Sequence, residues 1–242
     1  MRTLHIIMPM AGEGSRFINE GWTVPKPLIM LKGKPLFMHA VQSVYDGLIP
    51  IKYSFIVRKN HIENNKIDKV IKNYLPSAEI FFVEKTTRGA VETCLIAESS
   101  IEPDEALIVM DCDLEFKSAS FNEEIKHVLN KPVEQTNGGA LVSFTSSDSR
   151  YSYAKIDDDG NVIKTAEKET ISNNALCGAY FFSNASEFLA VAHDLINEKM
   201  EKKEFYTSLL YNKILQRGGK VRLCKMEEYY SYGTPEELQR YM

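Results

Sequence analysis

The chain has 242 residues, 44% of them apolar, with 29 Lys and Arg against 33 Asp and Glu, giving a net charge of -4 and a pI near 5.8. That apolar content can bury one sizeable core, and the interspersed charges form no basic run, so neither nucleic acid nor an anionic membrane is an expected partner. Cys94, Cys112, Cys177 and Cys224 lack zinc-ligand spacing and are expected to be reduced packing residues, while no apolar stretch reaches the length of a signal-peptide core or a membrane span. A cytoplasmic protein is the expectation.

In the first half, short apolar runs alternate with helical periodicity, the pattern of βαβ units around a mostly parallel sheet. Strands are predicted at Leu4–Met8, Tyr53–Val57, Ile80–Val83 and Ala106–Met110. Between them, Leu36, Phe37, Ala40, Val41, Val44 and Tyr45 recur at helical spacing, then Ile67, Val70, Ile71, Tyr74 and Leu75, then Ala90, Val91, Cys94 and Leu95. After a helix near Phe121–Leu129 the pattern changes. Gly139–Phe144, Tyr153–Ile156, Val162–Ala166 and Leu176–Ser183 read as strands, two of them joined by the turn Asp157-Asp158-Asp159-Gly160. Helices follow at about Glu187–Met200 and Phe205–Gln216, the second stopped by Gly218-Gly219, then a strand at Lys220–Lys225. Thr234-Pro235-Glu236-Glu237 opens a last helix with an N-cap, a proline at the first position and a capping-box glutamate.

The first strand runs directly into Met10-Ala11-Gly12-Glu13-Gly14-Ser15-Arg16, followed by Val24-Pro25-Lys26-Pro27 and Gly33-Lys34-Pro35. Glycines at the carboxyl end of a first strand let backbone approach a ligand closely, where α/β sheets bind nucleotides. The run is not a complete GxGxxG, because Phe17 takes the third glycine's place, and it lacks the GK[ST] of a P-loop. Arginine suits a leaving pyrophosphate, and lysine, as a point charge, suits a reacting phosphate. The competing reading of Arg16 and Lys26 is as solvated loop cations, against which stand the two prolines that lock Lys26 in place.

GxGSR followed by PKP and GKP resembles the signature of the sugar-phosphate nucleotidyltransferases, the pyrophosphorylase-like family that activates sugars. The resemblance runs from Met8 to Leu238, and the GTPEEL ending is similar to short members of bacterial surface-polysaccharide pathways. It implies a Rossmann-like three-layer α/β/α fold with a mixed, mainly parallel sheet, the nucleotide-diphospho-sugar transferase fold. One domain over 1–242 is expected, with an NTP-binding half of about 1–115 and an acceptor-binding half of about 116–242. The resemblance assigns the pyrophosphate to Arg16 and the α-phosphate to Lys26. Ala11, Gly12, Glu13, Gly14 and Ser15 would line the NTP, and Arg88-Gly89 looks like the segment whose glycine packs against the base. Glu84 replaces the base-reading Gln of many relatives, and an acceptor-only carboxylate cannot copy an amide's donor pattern, so the base stays open.

The predicted strand Ala106–Met110 ends in Asp111-Cys112-Asp113, and alternation would put both aspartates on one side, where hard oxygen ligands can hold Mg²⁺ on a bound NTP. The lesser reading is an Asx turn. The family supplies a metal carboxylate here, and Asp111 is favoured with Asp113 as a second contributor; Glu115 reads as surface. Relatives often carry a second metal aspartate where this chain has Ser231 in Tyr230-Ser231-Tyr232-Gly233-Thr234.

Ala166-Glu167-Lys168-Glu169 and the later Gly178-Ala179-Tyr180 resemble the family's EKP and GxYxF elements, implying acceptor binding by Glu167, Lys168 and Gly178, with a catalytic role for Lys168 beside Arg16 and Lys26. Glu169 replaces the usual proline, and Ser152 stands where sugar-binding relatives often have Gly. No role is assigned to the five histidines. The reaction implied is attack of an acceptor phosphate on the α-phosphorus of an NTP, with a sugar 1-phosphate or another small phosphate as partner and a homodimer as one possible assembly. Alternatives are a cytidylyltransferase acting on a non-sugar phosphate of the phosphocholine or phosphoglutamine type, a related glycosyltransferase using DxD, and a non-catalytic nucleotide-binding subunit.

Overall fold

The computed structural model describes residues 1–44, 49–199 and 204–242; Tyr45 and Met200, predicted in helices, lie outside the described residues. In chain order the strands are β1 (Leu4–Met10), β2 (Met30–Leu31), β3 (Lys34–Pro35), β4 (Ile51–Arg58), β5 (Glu79–Val83), β6 (Ala106–Met110) and β7 (Leu114–Lys117). They continue with β8 (Gly138–Thr145), β9 (Ser152–Ile156), β10 (Val162–Glu167), β11 (Asn174–Phe182), β12 (Lys220–Lys225) and β13 (Glu228–Ser231). The helices are α1 (Ser15–Asn19), α2 (Leu36–Gln42), α3 (Lys59–Asn65), α4 (Ile67–Tyr74), α5 (Ala90–Leu95), α6 (Ala119–Leu129), α7 (Ala185–Asn197), α8 (Leu210–Gln216) and α9 (Pro235–Gln239).

One sheet runs β10-β9-β11-β6-β1-β4-β5, with β8 joined to β11 and β12 to β8. Following the ladders, β1, β4, β5, β6, β8, β9 and β12 point one way and only β10 and β11 oppose them, so the sheet is mixed and mostly parallel. The period-2 geometry of β1 explains the layering. Leu4, Ile6 and Met8 enter one core cluster and Ile7 the other. The first cluster takes Phe37 and Val41 of α2, Ile67 and Ile71 of α4 and Phe121 and Ile125 of α6. The second takes Val91 and Cys94 of α5, Phe188 and Val191 of α7 and Leu210 and Ile214 of α8. Each large side chain buried this way contributes roughly 1.5–3 kcal/mol, which is what holds three layers together. The four cysteines are free and buried within these layers.

Helix α6 is capped by Ser118 and α7 by Asn184, each accepting a first-turn amide. The predicted helix from Phe205 starts later. Thr207–Leu209 is a 3-10 turn leading into α8, because Phe205 pairs its backbone with Arg88 and Val91. At the last helix Thr234 caps the Glu237 amide as expected, but the Glu237 side chain does not return to close a capping box. It turns into a cavity instead. The unpredicted ribbon β7–β13 leads into the same corner, where the Tyr232 N–H donates to the Asp113 carbonyl at 2.8 Å.

Candidate active site

The glycine-rich run leaves β1 at the carboxyl edge of the sheet. Gly14 adopts φ 66° and starts α1, and a Cβ built at Gly12 or Gly14 meets nothing within 4 Å. The glycines therefore face open space rather than packed protein. Phe17, in the place of a third glycine, is buried with Ile29, Leu31 and Leu36 and lies edge-on to Trp22, anchoring α1. Arg58, at the end of β4, donates to the Ala11 carbonyl and to Thr86 Oγ1, both at 3.1 Å, and Thr86 donates to Glu13 Oε1 at 3.0 Å. Nothing in the sequence motif pointed to Arg58; its place beside β1 follows from strand order.

Pro25 and Pro27 bracket Lys26 in a 3-10 turn, with the Leu28 amide closing onto the Pro25 carbonyl at 2.8 Å. The result is a cavity of about 570 Å³ lined by Gly12, Glu13, Gly14, Arg16, Lys26, Asp111 and Asp113, with Asn60, His61 and Asn65 of α3 on its wall. Lys26 Nζ sits 2.6 Å from Asp113 Oδ2. Burial works against this ammonium, but Asp113, aided by Asp111, holds its pKa above the ordinary lysine value. No carboxylate pairs with the exposed Arg16 guanidinium among the described residues.

Asp111 opens into the cavity, and no hydrogen-bond donor reaches its side chain among the described residues. The poorly solvated walls around it, then the charge of Asp113, hold its carboxyl above the ordinary aspartate value against the pull of Lys26, although the side chain itself is open to the cavity. A donorless carboxylate beside a second acid is suited to a hard cation whose other ligands are phosphate oxygens. Among the described residues no three acidic, histidine or cysteine side chains gather as a ready-made metal cage.

A second cavity, about 320 Å³, shares Arg16, Asp111, Asp113 and Glu204 with the first and is lined by Arg150, Ser152, Glu167, Gly178, Tyr180 and Glu237. Glu167 is buried. Its Oε2 accepts from Ser208 Oγ at 2.8 Å and from Ser152 Oγ, so the serine that replaces glycine is committed to orienting this carboxylate. Gly178 serves Asp111: at φ 98° on an irregular stretch of β11, a Cβ there would come 2.4 Å from Asp111 Oδ2. Ser231 donates to Glu237 Oε2 at 2.8 Å, and Arg150 pairs with the other oxygen of Glu237.

Five expected residues, Ala11, Ser15, Arg88, Gly89 and Lys168, line neither cavity. Arg88 is taken up by Glu92 at 2.8 Å and lies over the Phe205 ring at 4.9 Å. Gly89 is where it is because a Cβ would meet the Phe205 backbone at 2.6 Å. Lys168, at φ 54°, donates to the Tyr206 hydroxyl at 2.8 Å, and of this pair it is Tyr206 that lines the second cavity. Ala11 and Ser15 flank the open glycines without lining the cavity. Glu115 is no simple surface acid: its Oε2 accepts from His39 at 2.8 Å and Tyr232 at 2.7 Å. Glu204 and the α3 residues were missed for want of any motif.

A glycine-rich strand exit, two cations and paired aspartates, spread over two cavities that meet at Asp111, define an α/β nucleotide transferase. The sequence model of the nucleotidyl transferase family matches residues 4–238, and the chain belongs to that family. The nucleoside-diphosphate-sugar pyrophosphorylase from Vibrio cholerae RC9 is 26% identical with a TM-score of 0.82, each chain covered to 98%. The inositol-1-phosphate CTP transferase from T. maritima shares the fold at 12% identity and TM-score 0.72, covering 98% of this chain and 91% of its own. An apo-UDP-glucose pyrophosphorylase does so at 17% identity and TM-score 0.74, covering 100% and 97%. No helix among the described residues is long and apolar enough to cross a membrane.

Proposed function

We propose that this protein transfers a nucleoside monophosphate from an NTP to a sugar 1-phosphate or similar small phosphate in the cytoplasm, releasing pyrophosphate with Mg²⁺ present. The observation that carries this reading is the meeting of the two cavities at Arg16, Asp111 and Asp113. One holds the glycine loop and Lys26, suited to a triphosphate; the other holds Glu167 and Arg150, suited to an acceptor. On this assignment residues 1–115 supply most of the nucleotide site and 116–242 most of the acceptor site.

A phosphate monoester has its second pKa near ~6, so the nucleophile is already largely dianionic and needs no general base. The chain's task is to bring two polyanions together in line. Lys26 steadies the α-phosphate, with its charge held on by Asp113; Arg16 is free to follow the departing pyrophosphate; Arg150 faces the acceptor. Asp111, seconded by Asp113, would hold Mg²⁺, which when bound neutralises charge on the triphosphate. Glu167, with Oε2 tied to two serines, keeps Oε1 to accept from an acceptor hydroxyl. The second reading, a cytidylyltransferase for a non-sugar phosphate, is favoured by the Ser152 hydroxyl filling space that relatives leave to glycine.

The test is pyrophosphate release from CTP, UTP, dTTP, ATP and GTP with Mg²⁺, crossed with sugar 1-phosphates, phosphocholine and other phosphomonoesters. One productive pair supports transfer and separates the two readings; release from none, with a nucleotide sugar consumed instead, would point to a glycosyltransferase. Silence in every arm leaves a nucleotide-binding subunit.

A further inference from the structure

Helix α3 is a short, mostly polar helix with no fully buried residue; Ile62 packs on the core, which leaves its His and Asn residues without a packing role. Its sequence Lys-Asn-His-Ile-Glu-Asn-Asn places His61 and Asn65 four residues apart on one face, with Asn60 adjoining. All three line the cavity that also holds Arg16 and Lys26. The Nδ1 of His61 is shut off from solvent without a partner, so the ring meets a ligand through Nε2, which no side chain holds among the described residues. Burial, backed by the charge of Arg58, depresses the imidazolium below its ordinary value, so the ring is neutral at pH 7. Neutral imidazole and amide groups can donate to phosphate oxygens without competing with Asp111 for the cation.

Which end of the nucleotide they meet follows from what shares the cavity. Arg16, Lys26 and the open glycines are there; Arg88, Gly89 and Glu84, the segment that would accompany a base, are not. We propose that His61, with Asn60 and Asn65, forms a binding surface for the β,γ end of the triphosphate and for pyrophosphate as it leaves. The contact is made by neutral side chains that share the cavity with the two cations, so the diphosphate meets both kinds of donor. This rests on the nucleotidyltransferase reading for its meaning in turnover, but its test is a binding measurement.

Inorganic pyrophosphate with Mg²⁺ is titrated into wild type, His61→Ala, His61→Gln and Asn65→Ala by calorimetry, with circular dichroism as a check of fold. His61→Ala is expected to weaken pyrophosphate about tenfold and raise the NTP KM similarly, while the acceptor KM stays unchanged. His61→Gln, which keeps a donor, is expected to recover part of the loss, which a merely structural role would not predict. Unchanged pyrophosphate affinity in folded His61→Ala overturns the assignment, as does a wild type that does not bind pyrophosphate. Wild type that binds pyrophosphate through His61 yet releases none from any substrate pair keeps this assignment and sinks the transferase reading instead.

Discussion

Lys26 gives its ammonium to Asp113, at 2.6 Å, and leaves the neighbouring Asp111 carboxylate without a donor. Two acids two residues apart therefore differ in chemistry: one balances a fixed cation, the other faces the cavity unpaired. Asp111→Asn should lower turnover by about 10³-fold or more and raise the Mg²⁺ needed for half-maximal rate, since several kcal/mol of charge stabilisation go with it. Asp113→Asn should cost less, roughly 10–100-fold, and act mainly through a loosened Lys26. Lys26→Ala should cost about 10²–10³-fold with the fold kept. Steady-state rates across a Mg²⁺ series check all three; equal Mg²⁺ dependence in the two aspartate variants would refute the division.

Gly178→Ala tests how Asp111 is placed. The new Cβ would meet Asp111 Oδ2 at 2.4 Å and Leu114 Cδ2 at 3.1 Å, and φ 98° is strained for any residue with a side chain. The carboxylate must swing or the strand must shift. We expect a loss of about 1–3 kcal/mol in denaturant unfolding together with a fall in turnover close to that of Asp111→Asn. Loss of stability with turnover intact would mean that the Asp111 rotamer does not matter.

The central strands of the parallel half were legible because Leu4–Met8, observed to Met10, and Ala106–Met110 are apolar runs buried on both faces, whereas the edge strand β5 is partly exposed. The glycine loop, Lys26 and Asp111 were legible because charge and glycine at a strand exit have a chemical meaning. What stayed hidden depends on tertiary approach. Gly178 lines the second cavity, and its missing side chain also makes room for Asp111, while Gly89 makes room for the Phe205 backbone. The ribbon of β7 and β13 is four residues per strand and has no periodicity to find, yet it sets Ser231 beside the acids. Polar α3 has no apolar stripe, and Lys168, beside the convincing Glu167, is turned outward to Tyr206 by its own backbone.

Stability should depend on pH through Glu105, buried beneath the amino ends of β1 and β6. Its Oε2 accepts from His5 Nδ1 at 2.9 Å and the Glu102 amide at 3.1 Å, and Lys52 lies 3.5 Å from Oε1. Burial alone would raise its pKa, but the hydrogen bonds and charges of His5, the Glu102 amide and Lys52 outweigh it and hold the pKa below the ordinary glutamate value. An unfolded glutamate titrates near ~4.3, so folding favours the ionised form. The stabilisation is therefore fully present above about pH 5 and is lost as pH falls through the folded pKa. Glu105→Ala should cost about 1–3 kcal/mol at pH 7, because it leaves the buried His5 Nδ1 and Glu102 amide without their acceptor while Lys52 keeps Glu79 and the Ser100 carbonyl, and should flatten the acid limb of the stability curve. Urea midpoints from pH 3 to 7 decide it; an acid limb as steep as wild type would assign the pH dependence elsewhere.

Ser231 and Glu237 together explain how the corner beside Asp113 keeps an acid although residue 231 is not one. A Cβ on Gly233 would stand 3.3 Å from both Asp113 Oδ2 and Glu237 Oε2, so the two carboxylates converge on that spot, and Ser231 Oγ donates to Glu237 at 2.8 Å. Arg150 balances Glu237 from the other side. Replacing Ser231 with Asp would set a third carboxylate at hydrogen-bond distance from the second while removing the donor that holds it. Ser231→Asp alone should therefore lower stability by about 1–2 kcal/mol and reduce turnover rather than improve it. Glu237→Ser alone should leave Arg150 to Asp148, shift it in the second cavity and weaken acceptor binding, read as a higher acceptor KM. The double variant Ser231→Asp, Glu237→Ser returns one acid and one hydroxyl to the corner with their places exchanged. It should recover a large part of the stability lost in Ser231→Asp, a non-additivity of about 1 kcal/mol or more that a double-mutant cycle measures directly. Simple additivity of the two changes would mean that the two side chains, close as they are, do not act on each other.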